Sequence, residues 1–552
     1  MLTRRQFHAT LFAGLTAALC LPGRRALGQA PSDDLWLNRL SFGATPASRG
    51  DLAALGREGW LAAQLAMPPD DPGLTARLVA ARLTIGYEAG EDEAGHHWPA
   101  LPEEARPLAL LDAPAEQLVR LLDWETPMDY AERARPAQEV VAASLIRAVH
   151  APAQLREVMT QFWHDHFNVN AQKDETTAAL FPLYDKMMRA NAFGSFRALL
   201  GAVARSPAML YYLNNADSIA SPANENYARE LLELHSLGAE SYLNDRYSDW
   251  HQVPGADQGA AAGYLDLDVY EVARAFTGWS VGDGRWLAEG ETAPRTGAFH
   301  YVARWHDPYQ KRILGREFPP NRGPMEDGEE VLDMLARHPG TARLVCRKLA
   351  RRFLADDPPQ ALVERMAAEF LARAEAPDQI ARVLRLLVQS PEFDAPAQKI
   401  RRPFEFLAAF CRAAGAEVTD RSNNFQWTLA RAGWQQHEFG PPTGHPDVIG
   451  AWTGASSLNR MVDLAVFGLE DWFGVAQVAL DEVLPDETAK DFLQRRAGHL
   501  VPQEAEAAAA AILSAYEIDP DSRVADFAPE DRAGAARAVM AMAALTPAFV
   551  LR

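Results

Sequence analysis

Three short stretches of this chain concentrate side chains that can move protons, ligate cations or hold an anion. They are Phe162-Trp163-His164-Asp165-His166-Phe167, the run Asn-Glu-Asn-Tyr-Ala-Arg-Glu-Leu-Leu-Glu-Leu-His from Asn224 to His235, and Trp305-His306-Asp307-Pro308-Tyr309-Gln310-Lys311. Imidazole changes charge near neutral pH and is a frequent metal ligand, so His-Asp and His-x-His groupings suit acid–base or metal-assisted chemistry. No nucleophile elbow, His-Glu-x-x-His, phosphate-binding glycine loop or Cys-x-x-Cys accompanies them, which removes the easily read enzyme classes.

Each stretch also has a plain structural reading. If the helix that begins near Leu155 continues through the first block, His164 and His166 point about 160° apart at 100° per residue. His166 then shares the apolar stripe of Met159 and Phe162, as a hydrogen-bonded core histidine would. His164 shares the polar face with Glu157 and Gln161. The pair could hold one ion only if the helix broke. In the second block Asn224 caps a helix whose buried stripe is Tyr227, Leu231 and Leu234. Glu225, Arg229 and Glu233 form an outer ion-pair ladder. Glu230 lies about 40° from Leu234, where a carboxylate must pair, for instance with Arg274, bind a cation or take a raised pKa. His235 flanks the same face. In the third block His306-Asp307-Pro308 makes a turn in which Asp307 could fix the His306 tautomer. The alternative is a simple turn cap. His300 is a weaker candidate, and Lys311 could face an anionic substrate.

These blocks sit in a chain with helical periodicity almost throughout. Val269, Val272, Ala273 and Phe276 form one stripe, and segments 343–354, 361–374, 378–389 and 403–414 carry similar patterns between Pro or Asp-Pro breaks. The expected fold is mainly α, a multi-helix globular protein with two or three closely packed helical subdomains. The approximate divisions are 31–240, a loop-rich middle 241–342, and 343–552. Stretches 84–107, 240–266, 281–326 and 434–456 read as long irregular loops, with 281–326 the first choice for function.

Residues 1–30 read as a twin-arginine export signal: Thr3-Arg4-Arg5-Gln6-Phe7, an apolar run from Leu11 to Leu21, then small residues to Ala30. The run is too short to span a bilayer, and Leu19 before Cys20 argues against a lipid anchor. Removing this segment takes away four arginines and no acid, leaving 50 basic against 74 acidic residues and a net charge of −24. Such a surface repels phosphate backbones and anionic membranes. Cys346 and Cys411 remain, and they could form one bridge.

Taken together, the blocks resemble the bacterial family catalogued as domain of unknown function 1800. Leu37-Asn38-Arg39-Leu40-Ser41-Phe42-Gly43-Ala44-Thr45-Pro46 with Gly59-Trp60-Leu61 resembles its opening motif. The first two blocks, Val272-Ala273-Arg274-Ala275-Phe276-Thr277-Gly278-Trp279, His306-Asp307 with Lys311, Leu314-Gly315, Arg347-Lys348-Leu349 and Ser390-Pro391-Glu392-Phe393 follow in order. The family usually has an aromatic or apolar residue at His235, and the acidic insertion 244–266 is peculiar to this chain. The resemblance implies export and a frequent gene neighbour from another exported family similar to sulfatases and phosphatases. It implies no reaction.

The resulting expectation is an exported, periplasmic or secreted hydrolase or metal-assisted acid–base enzyme acting on an envelope or extracellular polymer. His164, Glu230, His306 and Asp307 would form its polar centre, with Arg229, Arg274 and Lys311 orienting substrate. His164, His306 and Glu230 would hold any divalent metal ion. The alternative is a non-catalytic binding or assembly factor that works with an exported sulfatase- or phosphatase-like partner, where the same residues join helices.

Overall fold

A computed structural model describes residues 33–69, 71–92, 95–396, 399–419, 424–469 and 476–552; residues 1–30, read above as an export signal, lie outside them. The fold is mainly α. Among the described residues the sheet content is confined to six two-stranded antiparallel pairs, and no helix is long and apolar enough to cross a membrane. One buried apolar cluster runs from Trp36 to Val550, with a small satellite of Leu287, Ala293 and Val302.

Eight helices position the polar centres: α1 Tyr130–His150, α2 Gln154–His166, α3 Glu175–Ala190, α4 Glu225–Glu230, α5 Asp266–Ala275, α6 Glu326–Ala336, α7 Pro339–Phe353 and α8 Pro403–Ala414. Their starts follow local chemistry. Asp174 accepts from Thr177 N at 2.8 Å to open α3, and Asn224 accepts from Asn226 N at 3.0 Å to open α4. Proline occupies the first turn of α7 and α8, where its missing N–H costs nothing. Because Pro339 can open a helix, α7 begins earlier than its apolar stripe indicates.

Helix α2 buries Leu155, Val158, Met159, Phe162 and Trp163 against α3 and the apolar core. Its last turn is held by two bonds: Trp163 Nε1 donates to Ala192 O at 3.0 Å, and the Tyr184 hydroxyl donates to Phe167 O at 2.6 Å. The second satisfies a carbonyl that a helix end leaves orphaned.

Two expectations need correction. Stretches 84–107 and 281–326 are not simply irregular. Strand β1 Arg82–Tyr87 pairs with β2 Leu101–Pro107, and β3 Trp279–Asp283 pairs with β4 Arg295–Tyr301. Leu83 and Ile85 alternate inward along β1, a period-two signal too short to stand out among Gly, Glu and Pro. The second concerns Leu234. Helix α4 passes into a π turn at Leu231–Ser236, whose extra residue shifts the phase of the helix. Leu232, His235 and Ser236 therefore turn inward, and Leu234 is only half-buried. Cys346 and Cys411 are both buried free thiols.

Candidate functional site

Helix α2 stays regular through His166, so the first block divides. His164 turns to one side and His166 to another, as an unbroken helix requires. His164 Nε2 lies 3.1 Å from Asp185 Oδ1 of α3, and its ring stands 4.4 Å from that of His437. Asp185 is also held by Arg189 Nε at 3.0 Å and Arg147 Nη1 at 3.4 Å, while Glu157 pairs with Arg189. His437 Nε2 meets Ser144 Oγ at 2.9 Å. Burial would raise the Asp185 carboxyl, but Arg189, His164 and Arg147 hold it well below its ordinary value. Burial, then His164, pushes the His437 imidazole well below its own.

His164, Asp185 and His437 could together offer ligand atoms within 4.8 Å of one another, a spacing that a small divalent ion could bridge. The surroundings oppose it. Two carboxylates, Asp185 and Glu157, already face two guanidinium groups, and the enclosed cavity of about 10 Å³ holds roughly one water. The cluster is charge-balanced by its own side chains.

The other side of the same turn faces a larger cavity of about 390 Å³, walled by α2, α7 and the loop that follows Trp434. Asp165, His166, Lys348, Arg351, Arg352, His445 and Asp447 contribute its polar groups. Lys348 Nζ lies 3.1 Å from His166 Nδ1 and 3.4 Å from Leu234 O. His166 Nε2 faces the His235 carbonyl at 3.2 Å. A carbonyl can only accept, so Nε2 carries the ring proton and Nδ1 accepts from Lys348. Burial, and then the Lys348 charge, keeps this imidazole well below its ordinary pKa. Burial likewise pulls the Lys348 ammonium down to about 8, against the attraction of Asp165.

The acidic groups of the wall are already paired. Burial would raise the Asp165 carboxyl, but Arg402 at 2.8 Å and His445 at 3.3 Å keep it well below the carboxylate range. Asp447 lies 2.8 Å from Lys399, and Arg352 pairs with Glu405. No carboxylate among the described residues reaches Lys348, and Arg351 finds only the Asp356 carbonyl at 2.8 Å. Lys399 is shared by Asp447 and Asp356, and Glu405 by Arg352, Arg402 and Arg552; Lys348 and Arg351 are the cations of the wall without a carboxylate partner among the described residues.

Loop 434–447 serves both sides. His437 has a left-handed φ of 60°, a costly conformation for a non-glycine residue, held by Ala171 N donating to its carbonyl at 2.7 Å. Asn168 Nδ2 donates to Phe439 O at 2.9 Å and Pro441 O at 2.8 Å, and the Tyr212 hydroxyl donates to Gly440 O at 2.7 Å. Trp434 stacks on His445 at 3.9 Å. Gly444, with φ 71°, passes so close to α2 that a Cβ there would meet Asp165 O at 2.0 Å.

The second block reaches this centre through the π turn. The carbonyls of Leu234 and His235 contact Lys348 and His166, and His235 is fully buried 5.0 Å from the Phe167 ring with neither ring nitrogen bonded. Glu230 is half-buried and has no ion-pair partner among the described residues; Arg274, the partner considered for it, is engaged elsewhere. Burial, then Glu233, raises the Glu230 carboxyl to about 6 against the pull of Arg229. Arg229 sits outside with Glu225 at 3.7 Å and Asp266 at 3.5 Å.

The third block stands apart. Among the described residues the group of three histidine or carboxylate side chains close enough to share an ion is His164, Asp185 and His437, so Glu230 and His306 do not join His164 in one metal set. Asp307 does not orient His306. It takes Arg274 Nε and Nη2 at 2.8 and 3.0 Å, while His306 has Asp327 Oδ2 at 3.3 Å from Nε2 and Thr277 O at 3.1 Å from Nδ1. Lys311 is fully buried, and its ammonium donates to Asp307 O, Tyr309 O and Asp327 Oδ2 at 2.7, 2.9 and 2.7 Å.

The residues that sequence reasoning missed are Lys348, Arg351, Asp185, His437 and His445. Lys348 was visible within Arg347-Lys348-Leu349 but had no assigned role. The run Gln435 to Asp447 holds two histidines, a glutamate and an aspartate among Gly and Pro, a signal passed over as loop composition. Comparison with curated proteins and with solved structures returned no significant match. A family model described as a protein of unknown function (DUF1800) matches residues 35–551, and the chain belongs to that family.

Proposed function

We propose that this chain is an exported acid–base enzyme of hydrolase type acting on an envelope or extracellular polymer, with the cavity between α2, α7 and loop 434–447 as its active site. The observation that carries the reading is the Lys348 ammonium, which has no carboxylate partner and bonds to the neutral His166 imidazole in the cavity wall. A lysine whose pKa is brought towards neutrality can take and return a proton, and His166 fixes its direction. Of the sequence candidates, His164 becomes a positioning residue that anchors the α2 turn to Asp185. Glu230 flanks the loop near Tyr212, whose phenol it helps to raise. His306, Asp307, Arg274 and Lys311 fasten helices α5 and α6. Export rests on the arginine pair and apolar run before Ala30.

The test is incubation of the mature chain with envelope and extracellular polymer fractions, following released fragments. The expected result is release that disappears in Lys348→Met while the variant melts normally. Release unaffected by Lys348→Met moves the chemistry elsewhere. If no fraction is cleaved and an exported sulfatase- or phosphatase-like protein is retained on the chain, the non-catalytic reading replaces this one.

A further inference from the structure

We infer that the cavity between α2, α7 and loop 434–447 is an oxyanion site, and that Lys348 and Arg351 grip a carboxylate, phosphate or sulfate carried by the substrate; this rests on the proposed location of the active site. The argument is one of charge. The mature chain carries a net charge of −24, so an inward-facing excess of positive charge runs against its overall character and focuses anions into that one place. The wall's two acids are already engaged, Asp165 by Arg402 and Asp447 by Lys399, which also holds Asp356, while Arg352 of the wall faces Glu405 behind it. Lys348 and Arg351 are left with an imidazole nitrogen and backbone carbonyls. A desolvated ammonium without a counter-charge is expensive, and a bound oxyanion supplies the missing partner.

The geometry fits a ligand rather than a core contact. Lys348 retains accessible surface where it lines the cavity, and the Nη1 and Nη2 groups of Arg351 have no partner among the described residues. The planar guanidinium can take an oxyanion through two parallel N–H bonds. Thr443 adds a hydroxyl at the exposed rim. About 390 Å³ accommodates one substituted unit of a polymer rather than a stretch of chain.

The experiment uses the mature chain and three probes, inorganic phosphate, inorganic sulfate and acetate, each titrated by calorimetry and thermal shift. Saturable binding is expected for at least one. Affinity should fall about tenfold or more in Lys348→Met and several-fold in Arg351→Gln, the scale of losing one charge-assisted hydrogen bond. Preference for phosphate or sulfate identifies an ester as the substrate group, and preference for acetate a carboxylate. A second measurement reads the lysine itself. Pyridoxal 5′-phosphate condenses its aldehyde with a neutral lysine amine, releasing water, and borohydride then reduces the imine to a stable secondary amine. Peptide mapping should find Lys348 labelled ahead of the other lysines, with inorganic phosphate protecting it. Anion effects equal in the wild type and Lys348→Met, or labelling spread evenly and unprotected, overturn the inference and leave Lys348 as a structural cation held by helix-end carbonyls. Saturable binding by a chain that cleaves no polymer keeps the oxyanion site and removes the catalytic reading. Cleavage that needs Lys348 without measurable anion binding does the reverse.

Discussion

Lys311 and Lys348 make the useful comparison. Both are lysines set deep in a charged neighbourhood, and both belong to stretches that resemble family motifs. Lys311 spends its ammonium on Asp327 and two carbonyls, in a network where Arg274 and Asp307 also match each other. Lys348 has no carboxylate and meets a cavity. Charged groups cluster in both places, so clustering alone does not mark a site. An imbalance that a ligand could correct does.

This contrast can be broken in several ways. The largest effect should come from Gly444→Val, which places a Cβ against Asp165 O at a positive φ. We expect about 4 kcal/mol of lost stability, combining overpacking with backbone strain, read by denaturant unfolding. Lys311→Met should cost about 3 kcal/mol because it takes from the buried Asp327 its nearest cation, at 2.7 Å, leaving only His306 and Arg322 at 3.3 Å, while leaving anion binding at the cavity unchanged. Lys348→Met should lie within about 1 kcal/mol of the wild type, since the loss of a cation without a carboxylate offsets the loss of its hydrogen bonds to His166 Nδ1 and Leu234 O. Equal costs for the two lysine variants would erase the distinction.

Titration sharpens the same point. The Lys348 pKa is lowered in the folded chain, from 10.5 to about 8, so the unfolded chain binds more protons between those values. Stability contributed at this position therefore rises as pH goes from about 8 towards 10.5, and Lys348→Met should lack that rise when unfolding is followed across the window. Glu230 is raised from 4.5 to about 6. Its contribution falls as pH climbs through that interval, and Glu230→Gln, which stands in for the protonated form, should flatten the fall and gain about 1 kcal/mol on the wild type at pH 7. The smallest expected effect is that of a chelator. With Asp185 already matched by Arg147 and Arg189, removing divalent ions should leave Tm unchanged, and a marked drop would shift attention to His164, Asp185 and His437.

Much of the architecture was legible in advance. Proline breaks and apolar stripes announce α7 and α8, and the helical wheel separates His164 from His166. What could not be read was pairing across long separations. Asp185 and His437 stand 21 and 273 positions from His164, and the four partners of Lys348 and Asp165 come from distant segments. Wheel geometry also failed at Leu234, because a strict period of 3.6 assumes that no residue is inserted. The third block looked chemical for the same reason it is quiet: its charges are many, and only their mutual distances reveal that they cancel.

The π turn at Leu231–Ser236 has an evolutionary consequence. A helix that has absorbed one extra residue is locked into a reading frame, since deleting any one position between Leu231 and Ser236 would rotate everything beyond it by about 100°. The carbonyls of Leu234 and His235 that meet Lys348 and His166 would then point elsewhere. Substitutions here can be tried singly by natural variation, but length cannot. Related chains should therefore tolerate insertions in 244–266 far more readily than a one-residue gap in this turn.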